Sequence, residues 1–150
     1  MIVEPLSFHP ELQGIVEGWF EEEWPSHYGP IASAAADVVA YSKDEGLPRG
    51  FVALLVGIPC GFAALKCEAF PSHPGLGPWA GAAYVRPELR RRGIGQALLR
   101  AVEAEAARLR YSRVYCATAT SASLLQRNAW QFLEQVVHDG QNVGIYEKAL

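Results

Sequence analysis

Arg90-Arg91-Arg92-Gly93-Ile94-Gly95 is the stretch of this sequence where charge, glycine and the start of a helical pattern coincide. From Ile94 onward, Leu98, Ala101, Val102, Ala106 and Leu109 recur at helical spacing, so the arginines stand at a helix N-terminus, with Arg86 close by. That end of a helix already carries about half a positive charge, and each added cation costs about 0.3–1 kcal/mol. Guanidinium groups crowded there make sense around an anion, held by free backbone N–H groups, by the dipole and by the guanidinium forks. Gly93 and Gly95 allow the backbone to come close to such a ligand. The third glycine of a dinucleotide loop is missing, and no Gly-Lys-Ser/Thr follows as in a nucleoside-triphosphate loop. A solvated basic loop is the competing local reading.

The elements that would position this loop can be read on either side. Trp79 to Val85 is a short apolar run that Arg86-Pro87 ends, because proline cannot donate to a sheet ladder and pushes its predecessor to an extended form. The unit is therefore strand, loop, helix. Upstream, the pattern predicts an edge strand over Ile2–Phe8 and a helix from Pro10 to Trp24. An alanine-rich helix over Ile31–Lys43 and antiparallel strands over Phe51–Val56 and Gly61–Cys67 follow. Both strands are almost continuously apolar, which calls for burial on two faces. A loop rich in proline and glycine, Ala69–Pro78, delivers the chain to the motif strand. Downstream come a strand at Arg113–Thr118, a short helix at Ser121–Asn128, and a hairpin of Trp130–Val137 and Val143–Ala149. Glu21, Glu22 and Glu23 fall at a helix C-terminus, the wrong end for acids, as a solvated end or as an acidic rim for a cationic acceptor.

With 150 residues, half of them hydrophobic, the chain has material for one core and is expected to form a single domain over residues 1–150. A net charge of −3 gives no global attraction to nucleic acid or to an anionic membrane. Phe51–Leu65 is too short to span a bilayer, and the N-terminus lacks the features of a signal peptide, so a cytoplasmic protein is expected. Cys60, Cys67 and Cys116 lack metal-ligand spacing and read as buried reduced thiols, so no metal is expected.

The motif resembles the acyl-CoA loop of the GNAT acetyltransferase superfamily, Arg/Gln-x-x-Gly-x-Gly/Ala, preceded here by Tyr84-Val85-Arg86-Pro87-Glu88 in the place of the family's Tyr-Val-x-Pro-Glu. The order of elements also matches. The resemblance implies an α/β (α+β) fold with a mixed, mostly antiparallel sheet flanked by about four helices. Leu76-Gly77-Pro78-Trp79 and Glu22-Glu23-Trp24 resemble the branch that includes protein N-terminal acetyltransferases. It also implies an acetyl-CoA or other acyl-CoA co-substrate. Its pantetheine would lie on the backbone of Ala83, Tyr84 and Val85, and its pyrophosphate on the N–H groups of Arg91, Arg92, Gly93, Ile94, Gly95 and Gln96, with Arg90 or Arg92 adding a charged contact.

The implied reaction is direct acetyl transfer to a primary amine in a ternary complex. The acceptor would be a small-molecule or peptide amine, and the protein a monomer or homodimer. The sequence departs from the family at the proton-transfer positions: Leu125 replaces the tyrosine, Ala129 replaces the glycine, and Tyr115-Cys116-Ala117-Thr118 carries no acid. The alternative is therefore a catalytically weak domain that binds acyl-CoA as a sensor or interaction module. Candidate bases are Glu68, His73, Glu23 and His27; Thr118, Ser121 and Ser123 offer hydroxyls; Trp24 and Tyr28 either cap the core or line an acceptor pocket.

Overall fold

The computed structural model describes residues 1–150. Seven strands form one sheet in the order β1 (Ile2–Pro5), β2 (Arg49–Leu55), β3 (Ile58–Lys66), β4 (Trp79–Val85), β5 (Arg113–Thr118), β7 (Gln141–Ala149), β6 (Gln131–His138). Every adjacent pair is antiparallel except β4 and β5. Parallel neighbours need a long crossover. That crossover contains the predicted amphipathic helix, α3 (Ile94–Arg108), beside α1 (Gln13–Glu23), α2 (Ala34–Tyr41) and α4 (Ala122–Arg127). The mixed, mostly antiparallel α/β architecture is the one predicted. No helix is long and apolar enough to cross a membrane.

The continuous apolar runs are explained by cover on both faces. Phe51, Ala53, Ala63 and Leu65 pack on Ile94, Leu98, Val102 and Ala106 of α3 and on Leu125 of α4. The intervening Val52, Leu54, Phe62 and Ala64 pack on Val16, Trp19 and Phe20 of α1 and on Val38 and Tyr41 of α2. Alternate residues of one strand thus serve alternate faces. Trp79, Tyr115, Val143 and Ile145 form a third cluster on the face opposite α3, covered by the loop residues Ala69, Phe70 and Leu76 rather than by a helix.

Three expectations are corrected. The first strand stops at Pro5, the last residue paired with β2; Leu6–Phe8 turn into a short 3₁₀ helix that buries Leu6. α2 begins at Ala34 rather than Ile31, because the Ser33 hydroxyl caps it, accepting from the Ala36 N–H at 3.1 Å. Cys67 is exposed because β3 ends at Lys66.

A buried ion pair ties α3 to β2. Arg49 of β2 is 9% exposed and Glu105 of α3 is 5% exposed, with guanidinium and carboxylate 3.1 Å apart. Hydrogen bonds from Arg108 and Arg49 hold the Glu105 carboxyl below the usual carboxylate range, against the opposing pull of burial. Glu105→Leu leaves Arg49 buried without a counter-charge and is expected to destabilise the fold by about 3 kcal/mol. A depressed carboxylate contributes stability above its unfolded pKa and loses it as pH falls through the folded one. The gap between urea melts of wild type and variant should therefore begin to narrow as pH falls below about 4.5 and close only below the depressed folded value.

Candidate active site

Of the four arginines around the helix start, two have partners within the chain. Arg86 pairs with Glu88 at 2.7 Å, and its guanidinium reaches the Pro59 carbonyl at 3.5 Å. Arg90 donates to the Val85 carbonyl at 2.9 Å, lies over the Tyr84 ring at 5.9 Å and approaches Glu23 at 3.7 Å. The acids at the end of α1 and the arginines before α3, each misplaced against its own helix dipole, are thus partly paired with one another. Arg91 and Arg92 remain exposed and without an ion pair.

The backbone here leaves donors free at the start of α3. Arg91 has φ +64° and Gly93 φ +82°, and Gly93 caps α3 without a side-chain hydrogen bond. The first helical bond is donated by the Ala97 N–H to the Gly93 carbonyl at 3.1 Å, so the N–H groups of Ile94, Gly95 and Gln96 precede the hydrogen-bond ladder. Residues of alternating handedness turn successive N–H groups to one side, as an anion nest.

From this loop, β4 leads back toward the centre of the sheet with one edge open. It pairs with β5 only at Trp79–Tyr115 and Ala80–Cys116; from Gly81 to Val85 no strand lies on that side. The register against β3 shifts between Ala64–Gly81 and Phe62–Tyr84, placing an extra residue in β4. This bulge contains Ala82, at φ +52°. A bulged residue drops out of the ladder, leaving a backbone donor without a strand partner.

Where the two strands part there is a cavity of about 230 Å³ lined by Lys66, Glu68, Phe70, Trp79, Ala80, Gly81, Ala82 and Ala117. Of the candidate bases, Glu68 alone lines it. Both ring nitrogens of His73 are engaged, by Ser72 and by Glu134. Glu23 faces Arg90, and His27 is exposed beside Tyr28. Trp24 and Tyr28 pack against Phe20 with ring centroids 5.6 and 5.5 Å away, and the Tyr28 hydroxyl donates to Asp37 at 2.8 Å. They lie over the α1–α2 core and not at this cavity.

Ser123 is exposed on α4, and the Thr118 hydroxyl accepts from the N–H groups of Thr120 and Ser121, so it serves the turn before the helix. Leu125 is 2% exposed and belongs to the core cluster around α3. Cys116, opposite Ala80, has its thiol pushed up to about 12 by burial, which keeps it protonated at neutral pH. Lys66, Phe70, Ala117 and the bulge were not singled out from the sequence; the small-residue run Ala80-Gly81-Ala82-Ala83 was the visible trace of the bulge.

The model of the acetyltransferase (GNAT) family matches residues 15–136. The chain belongs to that family. It is accordingly an N-acetyltransferase in activity class. Among curated proteins none matches it. Solved structures share the fold at low identity. An aminoglycoside 6'-N-acetyltransferase complexed with coenzyme A superposes with a TM-score of 0.80 at 15% identity, over 99% of this chain and 97% of its own. An N-acetyltransferase from Staphylococcus aureus Mu50 gives 0.79 at 16%, over 99% and 97%. The yncA protein of Salmonella typhimurium, with its cofactor acetyl-CoA, gives 0.77 at 14%, over 100% and 94%.

At the end of α4 this acetyltransferase carries Ala129, where the family pattern has glycine, and its φ is +66°. Left-handed backbone costs a non-glycine residue about 1–2 kcal/mol, offset in part by the greater freedom of glycine in the unfolded chain. Ala129→Gly is therefore expected to raise stability by about 0.5–1 kcal/mol, measured by denaturant midpoint. A drop in midpoint would show that the strain is not expressed.

Proposed function

We propose that this acetyltransferase moves an acetyl group from acetyl-CoA directly to a primary amine of a small molecule. The observation that carries the reading is one continuous track: the anion nest at Arg91–Gln96, the open edge of β4, and a cavity bearing the Glu68 carboxylate. From Gly81 to Val85 the open edge spans roughly 13 Å, suited to an extended amide-bearing chain. The nest and the free guanidinium groups of Arg91 and Arg92 suit a diphosphate. An acyl-CoA combines those two parts with a thioester that supplies the acetyl group.

The chain's own residues then have distinct tasks. Backbone N–H groups of Arg91 to Gln96 bind the diphosphate, and β4 orients the arm. The bulge at Ala82 offers the donor for negative charge developing on the carbonyl oxygen. Glu68 takes the proton from the incoming ammonium so that the amine can attack. Cys116, half-buried and held protonated by desolvation, fits transfer without an acyl-enzyme. Leu125 cannot return a proton to the departing thiolate, so solvent does; a thiol of pKa about 8.5 makes this a cost of about 1.4 kcal/mol near pH 7.5, slowing the reaction without stopping it. The small-molecule acceptor rests on structural neighbours that include aminoglycoside acetyltransferases.

The test has two arms. Acetyl-CoA at a hundred times its Kd should stabilise the fold by about 2.7 kcal/mol. Free thiol should then appear with some member of a panel of diamines, polyamines, aminoglycosides and amino-acid amides. Absence of the thermal shift at saturation would reject the cofactor assignment. A shift without turnover on any amine would favour the acyl-CoA sensor, the reading that Leu125 supports.

A further inference from the structure

Two groups lining the cavity, Glu68 and Phe70, are carried by residues 67–78, a segment with no helix or strand of its own. Its shape depends on packing against β4 and β6. The His73 N–H donates to the Phe70 carbonyl at 2.9 Å, the Leu76 N–H to the His73 carbonyl at 3.2 Å, and the Trp79 indole N–H to the Leu76 carbonyl at 2.7 Å. The Phe70 ring lies between Trp79, 6.0 Å away, and His138, 4.8 Å away. At the centre is His73, whose ring packs toward Trp79 at 6.5 Å, with Nδ1 2.7 Å from the Ser72 hydroxyl and Nε2 paired with the Glu134 carboxylate.

That last contact depends on an irregularity in β6. Phe132 opposes Tyr146, but Glu134 opposes Ile145, so Leu133 is an extra residue and the strand changes face there. Before the shift Phe132 packs on Tyr146, which belongs to the cluster around α3. After it, Glu134, Val136 and His138 align with Ile145, Val143 and Gln141, bringing them to the face covered by the 67–78 segment. A regular strand would turn Glu134 away from His73.

We propose that residues 67–78 form a strap whose His73–Glu134 clasp fixes the acceptor side of the cavity, making His73 a positioning residue for the amine rather than its base. The inference rests on the proposed amine transfer. Phe70 and Glu68 reach the cavity from the strap, so its position decides where an amine sits relative to the carboxylate and to the β4 bulge. The nest that serves the cofactor lies at the other end of β4 and is independent of the strap.

The test uses His73→Ala, Glu134→Gln and the double variant in the full chain, with an amine from the panel that the wild type acetylates. KM for the amine is expected to rise about tenfold in each, the size of one lost charge-assisted hydrogen bond, with acetyl-CoA affinity unchanged. The double variant should be no worse than His73→Ala, because both remove one contact. Amide hydrogen exchange over residues 68–78 should quicken in each. Unchanged exchange overturns the clasp, and faster exchange with unchanged amine KM overturns its role in seating the acceptor. If His73→Ala fails to fold, Glu134→Gln, with a side chain 57% exposed, carries the test. If the wild type acetylates no amine, the transfer reading fails by itself, and the exchange measurement still decides the clasp.

Discussion

Gly93→Glu is expected to abolish acetyl-CoA binding in a protein that still folds. A Cβ at this position meets no atom within 4 Å, so the substitution adds no clash inside the chain. The left-handed φ of +82° costs a non-glycine residue about 1–2 kcal/mol, within the stability of an ordinary domain. The new carboxylate stands among the N–H groups of Ile94, Gly95 and Gln96, on the positive end of α3, where a diphosphate would otherwise bind. Losing two charge-assisted contacts at about 1.5–3 kcal/mol each weakens binding by about 10²–10⁴-fold. Titration calorimetry should show no heat at concentrations that saturate the wild type. Gly93→Ala is the matched control, because it carries the same backbone strain without the charge and should bind within about tenfold of wild type. Should Gly93→Glu retain wild-type affinity, the anion nest is elsewhere. Should both variants lose binding equally, the left-handed turn is the requirement and not the electrostatics.

What the sequence revealed and what it concealed divide along a physical line. The unit from Trp79 to Leu109 was legible because each boundary has a local cause: Pro87 ends the strand, Gly93 supplies the left-handed cap, and helical spacing sets the face of α3. The near-continuous apolar runs of β2 and β3 likewise announced two-sided burial. The features that complete the site depend on partners distant in sequence. The bulge in β4 exists only relative to β3, and the strap is held by Glu134, 61 residues from His73. The neighbour of Arg90 is hidden for the same reason, since Glu23 lies on a helix that local pattern does not bring near it. Among four candidate bases, local sequence offered no means of ranking. The course of the chain after β3 places Glu68, and not the others, where β4 leaves β5.

That ranking makes Glu68→Gln the most informative single change in the acceptor half of the site. Glutamine keeps the size and hydrogen-bonding reach of the side chain but cannot accept a proton from an ammonium group. A positioned general base contributes about 10²–10⁴ in rate, so kcat/KM for the amine should fall by at least about a hundredfold. Glu68 is exposed and makes no hydrogen bond or ion pair with other side chains, so stability should change by less than about 0.5 kcal/mol. Acetyl-CoA affinity should be unaltered, because the nest and the open edge of β4 are untouched. Glu23→Gln supplies the comparison: its carboxylate faces Arg90 rather than the cavity, so its effect on kcat/KM should be at least tenfold smaller. The reverse order would move the base to the end of α1 and reassign the acidic rim as the acceptor's side. Equal and small effects would leave deprotonation to water, and the cavity at the strand junction would then select the amine without activating it.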